Sequence, residues 1–363
     1  MARKRLKAVI LALATGVCVT PVVRADKLAA TGTKVEIAVA EKYAGWFQKT
    51  VLWLAGKGMD GFTEPVHEEV TQRTFGCDGN AQDCLRSGRA SDYVLAGVRW
   101  NDDPPFRIYG GSGAPKSCKT QETIRFTTQP VCWVDLFRAA SAKAAREEVE
   151  EGDSSLLQRS HFGDLQFIHA MATAKGELPD VTRSRMVGWA EFTWRVMRGE
   201  ISLDADMGSI PVAAVAERFK RNTLRVQDLF TLGNVALRRY LGDVAFGSLL
   251  HMVQDSFAKG HSERLDPIFQ QKCGETGDAA PGAVREFHVY GLQDSHRHGA
   301  YDKGTAVAAH LLQHEPDVVD VGRRLLAYRD ANASWEVVRP YVECVFRLED
   351  ARPATAGAGF ERY

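Results

Sequence analysis

The sequence lacks an apolar run long enough to cross a membrane as a helix, which needs about 20 residues. The longest such run, AVILALATGVCV, follows the basic residues MARKRLK and precedes TPVVRA. Basic, apolar and small-residue sections in this order are typical of a secretory signal peptide. We therefore expect removal of residues 1–25 and export of the remaining chain, to the periplasm or the medium, without a transmembrane segment.

An excess of charge of either sign is also absent. Lys plus Arg and Asp plus Glu each number 46, and loss of the signal peptide would remove five basic residues, leaving 41 basic and 46 acidic. Affinity for a nucleic-acid backbone depends on clustered Lys and Arg. The mildly acidic mature chain therefore argues against a stable nucleic-acid partner. Separately, we expect the protein to be a monomer.

No C-x-x-C pair occurs, which argues against a structural zinc site made of thiolates. The signal peptide contains Cys18, and the six other cysteines form an even set, which predicts disulfides in an exported protein. Six cysteines allow 15 pairings. Local spacing favours the bridges Cys77–Cys84 and Cys118–Cys132, which leaves Cys273 to pair with Cys344.

Strand patterns are nearly absent, whereas apolar residues recur every three or four positions in five long segments, which indicates amphipathic helices. Loops rich in Gly, Pro and Cys fall at about 76–88, 103–131, 200–212 and 272–300. No repeat and no clear linker divides the chain. We predict an all-α fold, with one helical domain at 26–352, long disulfide-linked loops and a flexible tail at 353–363.

Polar residues interrupt the apolar stretch LLHMVQDSFAKGHSE at residues 249–263. On a helix His251 and Asp255 project side by side, because positions i and i+4 share a face. The helix is expected to end near Gly260, which lets His261 turn back toward the pair. Imidazole and carboxylate ligands suit zinc, so the stretch is a candidate metal site; a satisfied buried histidine is the alternative.

Other histidines and aspartates recur at similar spacings. His298 and Asp302 repeat the i, i+4 spacing in HRHGAYD, and His67 opens a helix in EPVHEEVTQR. The remaining candidates are Asp102 or Asp103 in RWNDDPP, and His161, Asp164 and His169 in SHFGDLQFIHA.

The ordered series resembles the zinc-dependent phospholipase C family and the related single-strand-specific zinc nucleases. Its members here are His67, Asp102, His161, His251-x3-Asp255-x5-His261 and His298-x3-Asp302. WND is similar to the nucleases' Trp-x-Asp, and SHFGD to the phospholipases' Ser-His-Phe-x-Asp. YLGDVAFGSLLHMVQDS is similar to the long central helix of the phospholipases. The resemblance implies a secreted, all-helical protein with a cluster of up to three zinc ions.

Carried over by position, the resemblance implies three ligand sets. The first zinc would be bound by Asp102, His161, His251 and Asp255; the second by His261, His298 and Asp302; and the third by His67 and the shared Asp255. Asp103 remains an alternative to Asp102, and His169 an alternative to His161. Asp164 is expected to orient His161 or to pair with Arg107.

The N-terminus departs from the family pattern, in which a terminal Trp completes the third site. No Trp follows the expected cleavage after Ala25, and processing to Trp46 or Trp53 lacks a cleavage signal. We predict that this segment stays attached and that Asp60 or Glu64 supplies an oxygen ligand instead. Capping of the helix that begins near Pro65 is the alternative role for these carboxylates.

The expected function is hydrolysis of a phosphodiester with two or three zinc ions as cofactors. Clustered zinc neutralises the substrate's charge and lowers the pKa of bound water toward about 7. Asp102 is the candidate for positioning or deprotonating the attacking water. We expect a phospholipase C that acts on phospholipid at a membrane surface. An exported nuclease and a non-catalytic zinc-binding protein are the alternatives.

Overall fold

The computed structural model describes residues 33, 34, 36, 65–109, 114–152, 155–221, 223–301, 311 and 315–362. Their α-helices, in chain order, are α1 Val66–Thr74, α2 Ala81–Arg86, α3 Asp92–Val98, α4 Pro130–Ala144, α5 Leu156–Phe162, α6 Pro179–Met197, α7 Ala213–Phe219, α8 Val226–Thr231, α9 Leu241–Asp255, α10 Ser295–Tyr301, α11 Val318–Asp330 and α12 Trp335–Val345. The strands are β1 Ser262–Arg264, β2 Lys272–Cys273, β3 Asp278–Ala279 and β4 Val284–Phe287. Within these residues, no helix is both long and apolar enough to span a membrane.

Helix α9 lies at the centre of the fold because its side chains are mostly apolar on every side. All residues from Val244 to Asp255 are buried, as expected for a helix without a polar face. Helices α3 and α6 pack against it. Any polar side chain on the C-terminal half of α9 is therefore held inside the protein, where it needs polar partners.

Two glycines allow α3 and α9 to cross closely. A Cβ atom added to Gly97 would lie 2.0 Å from the Val244 carbonyl oxygen, and one added to Gly247 would lie 2.1 Å from the Val94 carbonyl oxygen. Neither distance is possible for a real side chain, so both positions require glycine. The short separation brings the C-terminal end of α3 within hydrogen-bonding reach of α9.

The three predicted disulfides are confirmed. Bridges join Cys77 to Cys84, Cys118 to Cys132 and Cys273 to Cys344. In the first bridge, Cys77 precedes α2 and Cys84 lies within it. The second bridge ties the loop after residue 114 to α4, and the third joins β2 to α12. Three bridges are typical of proteins that reside in an oxidising compartment.

The prediction of an all-α fold is confirmed only in part. About 51% of the described residues are helical, and two small antiparallel sheets, β1–β4 and β2–β3, lie between α9 and α10. These strands have two to four residues. Such strands are too short to produce a recognisable alternation of apolar and polar residues.

The predicted flexible tail is packed on the domain. Residues Ala354, Ala356 and Phe360 are buried. The Val289 backbone N–H donates to the Thr355 carbonyl, and the Asp294 N–H donates to the Phe360 carbonyl. The small residues of PATAGAGF, which resembled a loose segment, instead let the backbone lie close to the loop before α10. A Cβ atom at Gly357, for example, would meet the His288 ring at 2.4 Å.

Replacing Cys273 and Cys344 together by Ala is expected to lower the free energy of unfolding by about 4 kcal/mol, because chain-entropy loss grows with loop length and this bridge spans 71 residues. The matched Cys77/Cys84 double variant, whose bridge spans 7 residues, should lose about 2 kcal/mol. Urea unfolding of the oxidised proteins measures both. An equal or larger loss in the Cys77/Cys84 variant would contradict this account.

Candidate metal centre

Five separate elements, one of which is α9, bring histidines and aspartates together in one cluster. His67 lies on α1, Asp102 follows α3, and His161 lies near the end of α5. His169 ends the 3₁₀ helix Gln166–His169, and α9 itself carries His251 and Asp255. All six residues are buried, with exposed fractions of 8% or less.

Asp255 lies at the middle of this cluster. One carboxylate oxygen, Oδ2, is 2.8 Å from His251 Nε2 and 2.8 Å from His169 Nδ1. The other, Oδ1, is 3.3 Å from His67 Nε2. His261 Nδ1 lies 3.7 Å from Oδ2. One carboxylate therefore faces three imidazoles at 2.8–3.3 Å, as a ligand shared between neighbouring cations would, and His261 lies farther away.

Asp102 faces the cluster, and Asp103 is turned away from it. Asp102 Oδ1 is 3.6 Å from His251 Nε2 and 3.7 Å from His169 Nδ1. Asp103 instead accepts a 2.8 Å hydrogen bond from the Phe126 backbone N–H and lies 3.3 Å from Arg125 Nε. Of the two carboxylates, only Asp102 is thus placed to share a cation with these histidines.

The neighbours of Asp102 in WND fix this geometry. Trp100 donates to the Leu229 carbonyl, at 2.8 Å. Asn101 donates to the Ile168 carbonyl at 2.7 Å and accepts from Ser248 on α9, while its own carbonyl lies 3.0 Å from His169 Nε2. The motif therefore ties the turn after α3 to both the 3₁₀ helix and α9.

In each clustered histidine, one ring nitrogen faces an oxygen that accepts hydrogen bonds. A carbonyl oxygen can only accept, so the facing nitrogen carries the proton. The Nδ1 atoms of His251, His161 and His261 donate to the carbonyls of Val98 (2.6 Å), Leu157 (3.0 Å) and His169 (2.7 Å). His67 and His298 use the side-chain oxygens of Gln254 (2.8 Å) and Gln293 (2.6 Å).

This arrangement fixes Nε2 of five rings, and Nδ1 of His169, as the nitrogen with a lone pair. Metal-binding histidines are oriented by hydrogen bonds of the same kind at the opposite ring nitrogen. Among the described residues, three groups have ligand atoms within 4.8 Å of one another: His67–Asp102–His251, Asp102–His161–His169 and His169–His251–Asp255.

The protonation states also suit metal binding. Burial lowers the pKa of His251 to about 4, so the imidazole is neutral at pH 7. Burial alone would raise the pKa of Asp255, but the nearby His251, His261 and His67 outweigh burial and hold it well below its usual range. Neutral imidazole and ionised carboxylate are the forms that ligate a cation.

His261 and His298 form a second pair at the edge of the cluster. Their ring centroids are 4.9 Å apart, and both are buried. A Cβ atom at Gly260 would lie 2.8 Å from His298 Nδ1, so glycine makes room for this ring. Asp302, the third predicted ligand of this set, lies outside the described residues, as do Asp60, Glu64, Trp46 and Trp53.

His169 is a member that the sequence prediction placed only as a substitute for His161. In the structure both rings lie beside Asp102, with centroids 5.0 Å apart. The signal was a histidine in the apolar segment QFIHAMA, eight residues after His161. The direction of the His169 ring depends on Ala170, whose left-handed backbone (φ 51°) ends the 3₁₀ helix directly after His169.

Asp164 does not have the predicted partners. Its carboxylate accepts two hydrogen bonds from Arg159, at 2.7 and 2.8 Å, and both side chains are buried. The Arg159 guanidinium also donates to the Arg218 carbonyl. The expectation that Asp164 orients His161 or pairs with Arg107 is therefore wrong, because the Arg159 guanidinium occupies both oxygens of the carboxylate.

A buried ion network lies next to the cluster. Glu36 accepts from Arg99 Nε at 2.9 Å and lies 2.8 Å from an Arg125 nitrogen. Arg99 also donates to Glu68, at 2.8 Å. Burial would raise the pKa of Glu36, but the two guanidinium groups hold it below its usual value. Because Glu68 follows His67, the network links α1 to α3.

Comparisons with protein-family models, characterised proteins and solved structures found no match to this chain. The donors are imidazoles and carboxylates, and the six cysteines of the described region are all in disulfides. Such a donor set fits zinc in a Lewis-acid site rather than in a closed thiolate centre.

Proposed function

We propose that the chain is an exported zinc-dependent phosphodiester hydrolase of the phospholipase C type. The observation that carries the proposal is the common orientation of the clustered histidines. In His67, His169 and His251 one ring nitrogen is held by a hydrogen bond, and the other faces Asp255 at 2.8–3.3 Å. A buried cluster of lone pairs and carboxylates around one centre is costly unless cations occupy it.

The overlapping ligand groups support more than one cation. Asp255 faces His67 through one oxygen and His251 through the other, so it is suited to bridge two ions. When bound, zinc neutralises charge on a phosphodiester and lowers the pKa of water. Asp102, fully buried between His251 and His169, is the residue that we assign to position the attacking water and to accept its proton.

An exposed apolar loop supports lipid as the substrate. Between β1 and β2, Ile268 is 56% and Phe269 88% exposed, and β1 begins directly after His261. Adjacent large apolar side chains at a loop tip cost little when they enter a lipid interface and are unfavourable in water. We infer that this loop rests on the membrane that supplies the substrate.

The double variant Ile268→Ser/Phe269→Ser is therefore expected to bind phospholipid vesicles about tenfold or more weakly, because it removes two apolar side chains from the interface. Co-sedimentation measures this directly. Hydrolysis of a soluble short-chain phospholipid should be unchanged. Val337→Ser, at a position 54% exposed on α12, is the matched control and should bind normally. Equal vesicle binding by all three proteins would contradict the role of the loop.

The function is tested by giving the purified protein phosphatidylcholine, phosphatidylethanolamine and single-stranded DNA in parallel, with and without a chelator. We expect release of a phosphorylated headgroup and diacylglycerol, loss of this activity with chelator and recovery with zinc. Cleavage of DNA alone would favour the nuclease suggested by WND. Bound zinc without any hydrolysis would favour a non-catalytic protein. Full activity in metal-free protein would exclude the proposal.

A further inference from the structure

Gln293 lies in the turn before α10 and contacts the pair His261 and His298 without being one of the proposed ligands. Only 1% of the residue is exposed. Its side-chain oxygen, Oε1, is 2.6 Å from His298 Nδ1. Its amide nitrogen, Nε2, donates to the Gly260 carbonyl at 2.7 Å, and Gly260 precedes His261. One buried side chain therefore contacts the ring of one histidine and the backbone next to the other.

The partners of the Gln293 amide fix its orientation. Nε2 has two hydrogens, and both are needed for carbonyl oxygens, those of Gly260 and Ala356, each at 2.7 Å. A carbonyl oxygen can only accept, so exchanging the amide oxygen and nitrogen would place oxygen against oxygen at two contacts. Oε1 is therefore the atom that faces His298, and His298 Nδ1 carries the proton. In the neutral ring the lone pair is then on Nε2.

The Gly260 carbonyl is a junction between the two histidines. It accepts from Gln293 and also from His288 Nδ1, at 3.1 Å. The His288 backbone N–H donates to the His261 carbonyl at 2.9 Å, so two successive carbonyls of this backbone are held. His261 Nδ1 donates to the His169 carbonyl at 2.7 Å. The lone pair of this ring is therefore also on Nε2.

The C-terminal segment holds Gln293 in this position. Ala356, whose carbonyl accepts from the amide, is buried. Arg362 Nε donates to the Gln293 backbone carbonyl at 2.7 Å. The Asp294 backbone N–H donates to the Phe360 carbonyl, also at 2.7 Å. These three contacts fix the backbone and the amide together, so the side chain cannot turn away from the histidine ring without breaking them.

We propose that Gln293 is a positioning residue of the metal centre, which holds His261 and His298 so that their Nε2 atoms bind one zinc ion together. The two ring centroids are 4.9 Å apart. The proposal rests on the proposed function, because it takes zinc as the ion. Removal of a neighbour that fixes the tautomer and direction of a ligand ring lowers metal affinity by about 10–100-fold.

Competition with a fluorescent chelator measures the zinc affinity of the full chain and of Gln293→Met, which keeps the side-chain length but removes the amide. We expect one zinc ion to bind about 10–100-fold more weakly and the rest to bind normally. Gln129→Met is the matched control. Gln129 is also buried, and its amide nitrogen also contacts two carbonyls, but its oxygen accepts from the Lys119 backbone N–H instead of a histidine. This variant should bind zinc as the wild type does.

A double variant separates an effect on the ring from a general loss of structure. His298→Ala should lose the same zinc ion, and adding Gln293→Met should cause no further loss, because the positioned ring is already gone. Further loss of zinc in the double variant, or wild-type affinity for every ion in Gln293→Met, would overturn this proposal alone. A wild-type chain that binds no zinc would overturn both this proposal and the proposed function.

A measurement on the wild-type chain does not require Gln293→Met to fold. In zinc-free protein with isotope-labelled histidine at alkaline pH, nuclear magnetic resonance shows which nitrogen of each ring carries the proton. The His298 signals are those that are absent from His298→Ala. We expect the His298 proton on Nδ1. A proton on Nε2 would show that Gln293 does not set the tautomer, and would overturn the proposal.

Discussion

Asp255→Asn is expected to lose bound zinc and to reduce phosphodiester hydrolysis about a thousandfold or more. The carboxylate faces three histidines at 2.8–3.3 Å, and its charge is the one best placed to be shared between cations. An amide of the same shape keeps the packing but removes the negative charge that a metal needs. Loss of metal removes several kcal/mol of transition-state stabilisation. Metal analysis and initial rates on the same preparation measure the two effects together.

Asp103→Asn is the matched control for this variant. The residue is also fully buried and is adjacent to Asp102, but it faces Phe126 and Arg125. Burial raises the pKa of Asp103 to about 6 even with Arg125 beside it, so replacing this carboxyl group by a neutral amide changes the local charge only moderately. Asp103→Asn should retain its zinc. A folded Asp255→Asn protein with the wild-type zinc content and rate would show that Asp255 is not a ligand.

Arg99→Leu should lower the free energy of unfolding by about 3–5 kcal/mol, because it removes the guanidinium that two buried carboxylates face. Arg99 is 1% exposed and contacts Glu36 at 2.9 Å and Glu68 at 2.8 Å. Removal of one partner leaves charge buried without compensation, which costs more than the pair itself contributes. Urea unfolding followed by circular dichroism measures the change.

Arg146→Leu is the corresponding control on the surface. Arg146 pairs with Glu148 at 2.8 Å, but both side chains are more than half exposed. Exposed pairs are screened by water, and we expect no measurable change in stability. Similar unfolding midpoints for Arg99→Leu and the wild type would show that the ion network does not stabilise the fold.

The parts of the fold that could be predicted are those encoded by local pattern. Helical spacing identified α4, α6, α9, α11 and α12, and cysteine spacing identified the short bridges, because both signals depend on neighbours in sequence. The two small sheets had too few residues to show a pattern. The C-terminal segment was misjudged because its packing depends on small residues such as Gly357, which make close contacts that composition alone does not reveal.

The candidate site was predictable to a similar degree. Residue type and spacing on one helix suffice to place His251 beside Asp255. The presence of His169 in the cluster, beside His161, depends on a left-handed residue after a 3₁₀ turn and on Asn101, which holds that turn against α9. The pairing of Asp164 with Arg159 depends on the backbone at the end of α5. Neither arrangement has a signature in sequence spacing.

The most direct test of the zinc assignment is the metal content of the exported protein, purified without chelator and without added metal, by inductively coupled plasma mass spectrometry. We expect two or three zinc ions per chain, as the overlapping ligand groups around Asp255 and Asp102 imply. Less than one bound metal ion per chain, with none taken up when zinc is added, would contradict the assignment of this cluster as a metal centre.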